Sequence, residues 1–294
     1  MELWFLYALM AAIFAALTTI LAKIGLKSVD SHLATAIRTM AALAFAWVIV
    51  FVFGSQGEIV YMDTRTWIFL VLSGLATGGA WLCRFRALKL ENVNKVTPIT
   101  KSSTILTMIL AFVFLSEPLG WAMAAGMTLM GIGTWLMLEL KKNRDKAKEK
   151  GTGMAWLLFA ALAAIFASLT AIFGSLGVSD MDASLWTAIR TVIVAIVSWA
   201  MVFMTGGQKK IKAVNAKGWV FLILSGIATG ASWIFFYHAL RLGNASHVVP
   251  IDQLSIIITM AFARIFLGER FSKQSLVGLA ILTIGILLPS LISL

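Results

Sequence analysis

Ser73-Gly74-Leu75-Ala76-Thr77-Gly78 returns 152 residues later as Ser225-Gly226-Ile227-Ala228-Thr229-Gly230. The same offset lays Ala36-Ile37-Arg38-Thr39 on Ala188-Ile189-Arg190-Thr191, Ala11-Ala12-Ile13-Phe14-Ala15 on Ala163-Ala164-Ile165-Phe166-Ala167, Pro98-Ile99 on Pro250-Ile251, and Glu117 on Glu269. A register held without a gap along the chain marks duplication and fusion, because chance matches would not keep one offset. The chain is therefore read as one copy over residues 1–140, a charged linker over 141–153 and a second copy over 154–294.

Each copy is made of apolar runs. Hydrophobic residues are 60% of the chain and charged residues 13%, with a mean hydropathy of +0.93, outside the range of soluble globular proteins. Ten runs, near 3–26, 32–53, 66–88, 97–116, 119–140, 154–174, 184–205, 217–240, 246–267 and 273–293, are each long enough to cross a hydrocarbon core of about 30 Å. They are continuous and rich in Leu, Ala and Gly, without the alternation of a barrel strand, so they are helices. The expected fold class is all-α integral membrane, with ten transmembrane helices as two inverted five-helix repeats. Met1 to Leu26 lacks a basic n-region and a following cleavage site, and reads as a retained helix. The single cysteine, Cys83, excludes an internal disulfide and any Cys-based metal cluster.

Inversion follows from parity. With five spans per copy, the second copy starts on the opposite side of the membrane from the first. Of the 24 Lys and Arg, seven lie inside spans (Lys23, Arg38, Arg84, Arg86, Lys101, Arg190, Arg264) and 15 in loops after odd-numbered spans. Only Arg65 and Arg241 lie on the other side, with Asp180 and Asp182. The positive-inside rule then puts the linker in the cytoplasm and both termini outside, in what is expected to be a bacterial inner (plasma) membrane. The net charge of +11 is thus a topology signal, and no nucleic-acid partner is expected. Gly74, Gly78, Gly226 and Gly230, like Gly126, Gly133, Gly278 and Gly285, read as sites of close helix packing.

Two five-helix copies, Ala-Ile-Arg-Thr in the second span, Ser-Gly-x-Ala-Thr-Gly in the third and Pro250-Ile251-Asp252 opening the ninth together resemble the drug/metabolite transporter superfamily, specifically its EamA-like domain. The resemblance covers essentially the whole chain. Its most specific stretch runs from Ala245 through Asp252 to Phe266-Leu267-Gly268-Glu269, and is similar to half-size members that carry Pro-Ile-Asp-Lys there. The resemblance implies alternating-access transport, with spans one to four and six to nine around a central cavity and spans five and ten outside it. It implies no particular substrate.

A charge in hydrocarbon is costly unless it faces a cavity or a partner, which makes every intramembrane charge a candidate. Lys101 and Asp252 lead, because Thr100-Lys101 in one copy stands against Asp252-Gln253 in the other, as though each copy had kept one member of a pair. Thr100, Ser103 and Thr107 match Asp252, Ser255 and Thr259, a polar stripe at helical spacing on each of two related helices. Either Asp252 takes a substrate amine or a coupling proton while Lys101 takes an anionic group, or the two form a structural salt bridge between the halves. Gln253 is counted with them. Arg38 and Arg190, about six residues or roughly 9 Å into spans two and seven, are flanked by Thr35 and Thr39 and by Thr187 and Thr191. Each snorkels to its near surface, carries a substrate carboxylate or phosphate, or gates one mouth of the cavity. Trp81 and Trp233 superpose as well, and are either packing or an apolar and cation–π surface for substrate. Arg84 and Arg86 read as snorkelling; Lys23, Arg264, Glu117 and Glu269, near span ends, are set aside.

No P-loop, no metal-spaced pair of histidines and no Gly-x-Ser-x-Gly elbow is present, so no enzyme activity, cofactor or metal site is expected. The leading expectation is a secondary transporter for a small polar metabolite. Intramembrane cations outnumber acids, which favours a zwitterionic or anionic, amino-acid-like solute, with protons as the coupling ion and Asp252 as their carrier. The alternatives are a lipid or lipid-precursor flippase, with Arg38 and Arg190 on a phosphate, and a non-transporting membrane scaffold. The expected partners are a small-molecule substrate, protons and the lipid bilayer. Fusion supplies in one chain what half-size members obtain by pairing, so a monomer is expected, with a homodimer as the alternative.

Overall fold

Every element that the computed structural model describes is helical, and the described residues are 3–25, 29–90, 96, 99–137, 154–179, 181–266 and 272–292. The helices are α1 (Leu3–Gly25), α2 (Ser31–Phe53), α3 (Thr64–Leu90), α4 (Ser103–Leu115), α5 (Trp121–Met137), α6 (Ala155–Val178), α7 (Ala183–Thr205), α8 (Ala216–Leu242), α9 (Ala245–Asp252), α10 (Ser255–Phe266) and α11 (Lys273–Ile292). Short 3-10 segments follow α2 at Ser55–Tyr61 and α7 at Gly207–Ala213. The linker over 141–153, Pro98, Asp180 and Glu269 lie outside the described residues. Among the described residues, seven helical segments are long and apolar enough to cross a bilayer, and three apolar helices, Ile99–Leu115, Trp121–Met137 and Lys273–Pro289, are shorter.

The duplication is visible in how helices begin and end. Asp30 Oδ1 accepts from the His32 and Leu33 amides at 3.1 and 3.5 Å, and Asp182, its equivalent, accepts from Ser184 and Leu185 at 3.0 and 3.1 Å. Each aspartate thereby caps the free N–H groups of a long helix, α2 or α7. Those helices stop at Gly54 and Gly206, with φ of +72° and +70°, a left-handed conformation that glycine adopts without a side-chain clash.

Small residues line much of the interior and many large apolar ones face outward. Ala8, Ala11, Ala12 and Ala16 of α1 are wholly buried, whereas Phe53 and Met204 are 75% and 81% exposed. This suits a chain whose surroundings are hydrocarbon, where helices associate through close backbone approach and large apolar side chains need no shelter. The first helix of each copy lies along the third helix of the other, α1 on α8 and α6 on α3, while α2 crosses α7 and α5 pairs with α11. In the last pair a Cβ on Gly133 would stand 2.5 Å from the Leu282 amide nitrogen, so the backbones touch where only glycine fits.

The ninth apolar run, expected as one helix over 246–267, is broken. Pro250 has no N–H to give, and beyond it Gln253 and Leu254 donate to the carbonyls of Pro250 and Ile251, both at 2.9 Å, in three-residue turns before α10 starts. The fourth run has a matching turn at Ser102, whose Oγ donates to Ile99 O at 2.6 Å. Short 3-10 stretches inside a helix mark places where it can bend.

Candidate functional site

The two repeated motifs meet across the copies. Ser73 Oγ of α3 donates to the Thr170 carbonyl of α6 at 3.0 Å, and Ser225 Oγ of α8 donates to the Thr18 carbonyl of α1 at 2.8 Å. Beside each serine stands the motif threonine, and across from each threonine an arginine. Arg190 of α7 donates from Nε to Ser73 Oγ at 3.1 Å and from Nη2 to Thr77 Oγ1. Its guanidinium lies 5.1 Å from the Trp233 ring and 5.2 Å from the Tyr237 ring, within cation–π range, and the residue is 2% exposed. Snorkelling is ruled out for this arginine: it is clamped and covered.

Arg38 of α2 is the equivalent residue in an unlike state. Its Nη2 donates to Thr229 Oγ1 at 3.3 Å, but its Nε is buried with no hydrogen-bond partner among the described residues. The side chain walls a cavity of about 420 Å³ together with Arg84, Trp81, Trp233, Phe85 and the hydroxyls of α1, α2 and α8. Among the described residues no acidic residue lines that cavity, and none of its lining belongs to α5 or α11. The filled seat and the hollow one also differ in their side chains. Trp186 is wholly buried, 5.9 Å from the Tyr237 ring, where the first copy has Ala34, and Tyr237 itself stands where the first copy has Phe85.

A second cavity, of about 520 Å³, lies at the other end of α1 and α2 and is lined by Tyr7, Glu58, Asp182 and His238 among others. There Glu58 Oε2 accepts from the Asp182 amide at 2.8 Å, and His238 Nε2 is 4.0 Å from Asp182 Oδ2. Lys210, the equivalent of Glu58, instead reaches Asp30 Oδ2 at 3.4 Å on the opposite face. Partial burial pushes the Asp30 carboxyl up, but the His32 and Leu33 amides and the Lys210 ammonium outweigh it and hold it below its ordinary value.

Lys101 lies close enough to Asp252 for their charges to interact, but makes its hydrogen bond elsewhere. Its Nζ donates to Gln253 Oε1 at 3.1 Å, and among the described residues no ion pair within 4.0 Å joins Lys101 to Asp252. Positions 101 and 253 are equivalent under the 152-residue shift, so they meet where the pseudo-two-fold axis passes. Asp252 is the equivalent of Thr100, one residue away and turned by about 100° around its helix. Lys101 and Gln253 wall a smaller cavity of about 240 Å³ towards Met130 and Met137 of α5 and Leu282 of α11. The expected site residues thus fall in two places. Arg38, Trp81 and Trp233 share one cavity, with Arg190 behind Trp233; Lys101 and Gln253 share another, and Asp252 lines neither.

Two functional candidates escaped the sequence reading. Arg84, read as snorkelling, is exposed and lines the cavity of about 420 Å³ beside Arg38. Glu117, set aside as a span-end charge, is 7% exposed, and its two carboxylate oxygens accept from the Ala245 and Ser246 amides at 2.8 and 2.9 Å. It caps α9, the half-helix that ends at Asp252, from the other copy; its recurrence as Glu269 was the available signal.

The EamA-like transporter family matches residues 2–139 and again residues 154–291. A Sinorhizobium sp. protein described as an uncharacterized transporter in the cobO 3′ region is 42% identical over 134 residues, which are 46% of this chain and 95% of that one. An uncharacterized protein of Methanocaldococcus jannaschii is 31% identical over 83 residues, 28% of this chain and 61% of that one. A crystal structure 16% identical in sequence superposes with a TM-score of 0.80 over 98% of this chain and 96% of that one, which shows a common fold. With the family pattern present twice and a relative of about one copy's length matched almost end to end, the chain belongs to the EamA-like transporter family.

Proposed function

We propose that this member of the family is a secondary transporter that moves a small anionic or zwitterionic organic solute by alternating access, through ten spans arranged as two inverted copies. The observation that carries the reading is the pair of equivalent arginines in unlike states. Arg190 is clamped on Ser73 and Thr77 under two rings, while Arg38 faces an open cavity. In an inverted repeat, exchanging the conformations of the two copies closes the seat at Arg38 and opens the one at Arg190, which is alternating access in outline. Trp233 belongs to both seats, walling the cavity and covering Arg190, so a solute in the cavity touches the residue that holds the far side shut.

On the positive-inside rule the open cavity faces the cytoplasm of a bacterial inner membrane, the side of the 141–153 linker, and both termini face out. The fused chain works as a monomer. Asp252, half-buried at the break between α9 and α10, carries the coupling proton. The test is uptake of labelled carboxylates and amino acids into proteoliposomes under imposed pH gradients, with Asp252→Asn alongside. Uptake no better than in protein-free vesicles for every solute removes the transport reading. Uptake indifferent to the gradient, or to Asp252→Asn, removes the coupling.

A further inference from the structure

We propose that the cavity at Arg38 takes an organic anion with an aromatic ring and no ammonium group, a ligand class narrower than the solute assigned above and resting on that assignment. Among the described residues, the wall of the cavity carries two guanidinium groups, Arg38 and Arg84, and no carboxylate. An anion is met there by charge, whereas the ammonium of an amino acid or amine would face two like charges with no counter-charge within the wall. Arg38 gives Nη2 to Thr229 and leaves Nε without a partner among the described residues, so a buried donor waits to be satisfied. A carboxylate fits a guanidinium edge with two parallel hydrogen bonds, which a single hydroxyl cannot do.

The aromatic part follows from the closed seat. There the same motif arginine is covered by the rings of Trp233 and Tyr237 at 5.1 and 5.2 Å. The equivalent rings around Arg38 are Trp81 and Phe85; both wall the cavity, and among the described residues neither covers the guanidinium. A ligand ring stacked on Trp81 or Trp233 fills the space that the protein's own side chains fill on the other side. A volume of about 420 Å³ has room for a ring together with its acid group.

A series on one skeleton tests the proposal: 3-phenylpropionate, L-phenylalanine, phenethylamine and 3-cyclohexylpropionate, titrated into the detergent-purified full chain by tryptophan fluorescence. Labelled forms of the four are followed into proteoliposomes in parallel. 3-Phenylpropionate is expected to bind at least about tenfold more tightly than phenylalanine and roughly threefold to tenfold more tightly than its cyclohexyl analogue, with phenethylamine unbound. Arg38→Gln raises the 3-phenylpropionate Kd by about tenfold or more, Arg38→Lys falls between, and Trp81→Leu erases the preference for the phenyl ring. The proposal is overturned if phenylalanine or phenethylamine binds as tightly as 3-phenylpropionate, if none of the four binds, or if Arg38→Gln leaves the Kd unchanged. The wild-type ranking is decisive even where a variant fails to fold. Binding in the expected order without uptake upholds this ligand class and removes the transport reading, and uptake of phenylalanine or phenethylamine alone does the reverse.

Discussion

Arg190→Met is expected to loosen the closed seat, and the size of the effect can be worked from its contacts. The wild-type side chain makes charge-assisted hydrogen bonds to Ser73 and Thr77, each contributing about 1.5 kcal/mol. Its two ring contacts at 5.1 and 5.2 Å add about 0.5–1 kcal/mol apiece, for a gross of roughly 4–5 kcal/mol. Against this stands the loss of hydration of a guanidinium that is 2% exposed and whose Nη1 has no partner among the described residues. That cost offsets about half of the gain. A net of about 2 kcal/mol corresponds to roughly a thirtyfold shift in the ratio of closed to open seats. Cysteine accessibility reads it, in a Cys83→Ser background. Thr187 is wholly buried beside Arg190, whereas its equivalent Thr35 lines the open cavity. Thr35→Cys is therefore expected to react quickly with a small impermeant maleimide and Thr187→Cys slowly. Adding Arg190→Met should speed Thr187→Cys about thirtyfold and slow Thr35→Cys. A Thr187→Cys rate that does not move in a folded Arg190→Met protein refutes the argument, and with it the role of the clamp as a gate.

Glu117→Ala removes two buried hydrogen bonds to a carboxylate from the start of α9, a loss of about 3 kcal/mol that should lower Tm in detergent by about 8 °C. Glu117→Gln keeps one acceptor and should fall between; an unchanged Tm for the alanine variant would mean the cap does not hold the half-helix. At Asp30 the folded carboxyl titrates below its ordinary value, so its contribution is fully present above the ordinary carboxylate range and is lost as pH falls through the depressed value. Hydrogen-exchange protection of the His32 and Leu33 amides should hold from about pH 5 upward and decline below it, and Asp30→Asn should make it insensitive to pH. A wild-type profile as flat as the variant's would count against the cap.

Much of the fold was legible because the chain states it twice. The 152-residue offset marked the two copies, their apolar runs and the equivalence of Arg38 with Arg190, whereas the caps at Asp30 and Asp182, the stops at Gly54 and Gly206 and the Arg–Thr contacts between copies are findings of the structure. What could not be read was which equivalents differ in state. Nothing in the spacing says that Trp186 and Tyr237 fill one seat while Ala34 and Phe85 leave the other hollow, since that depends on how side-chain volumes pack across copies. Lys101 and Asp252 lie close enough for their charges to interact, but the hydrogen bond of Lys101 goes to Gln253, which complementary charge alone did not reveal. Residues at equivalent positions meet at a pseudo-two-fold axis, and Asp252 is one position off that axis. Glu117 was undervalued for a related reason, because a carboxylate at a span end looks solvated until the amides that occupy it, from the other copy, are known.

Ser55–Tyr61 and Gly207–Ala213 adopt the same short 3-10 turn after the same glycine stop, yet one carries Glu58 and the other Lys209, Lys210 and Lys212. In an inverted repeat these two segments lie on opposite sides of the bilayer, so a single ancestral loop could not satisfy the positive-inside rule in both places. A half-size protein with such a loop left neutral has little to tell it which way up to insert, and can populate both orientations to build its own partner. Once the copies share a chain, each loop is free to acquire the charge its side demands. On the proposed inverted arrangement, the seven residues of each segment would act as a ballast for how the whole molecule sits in the membrane.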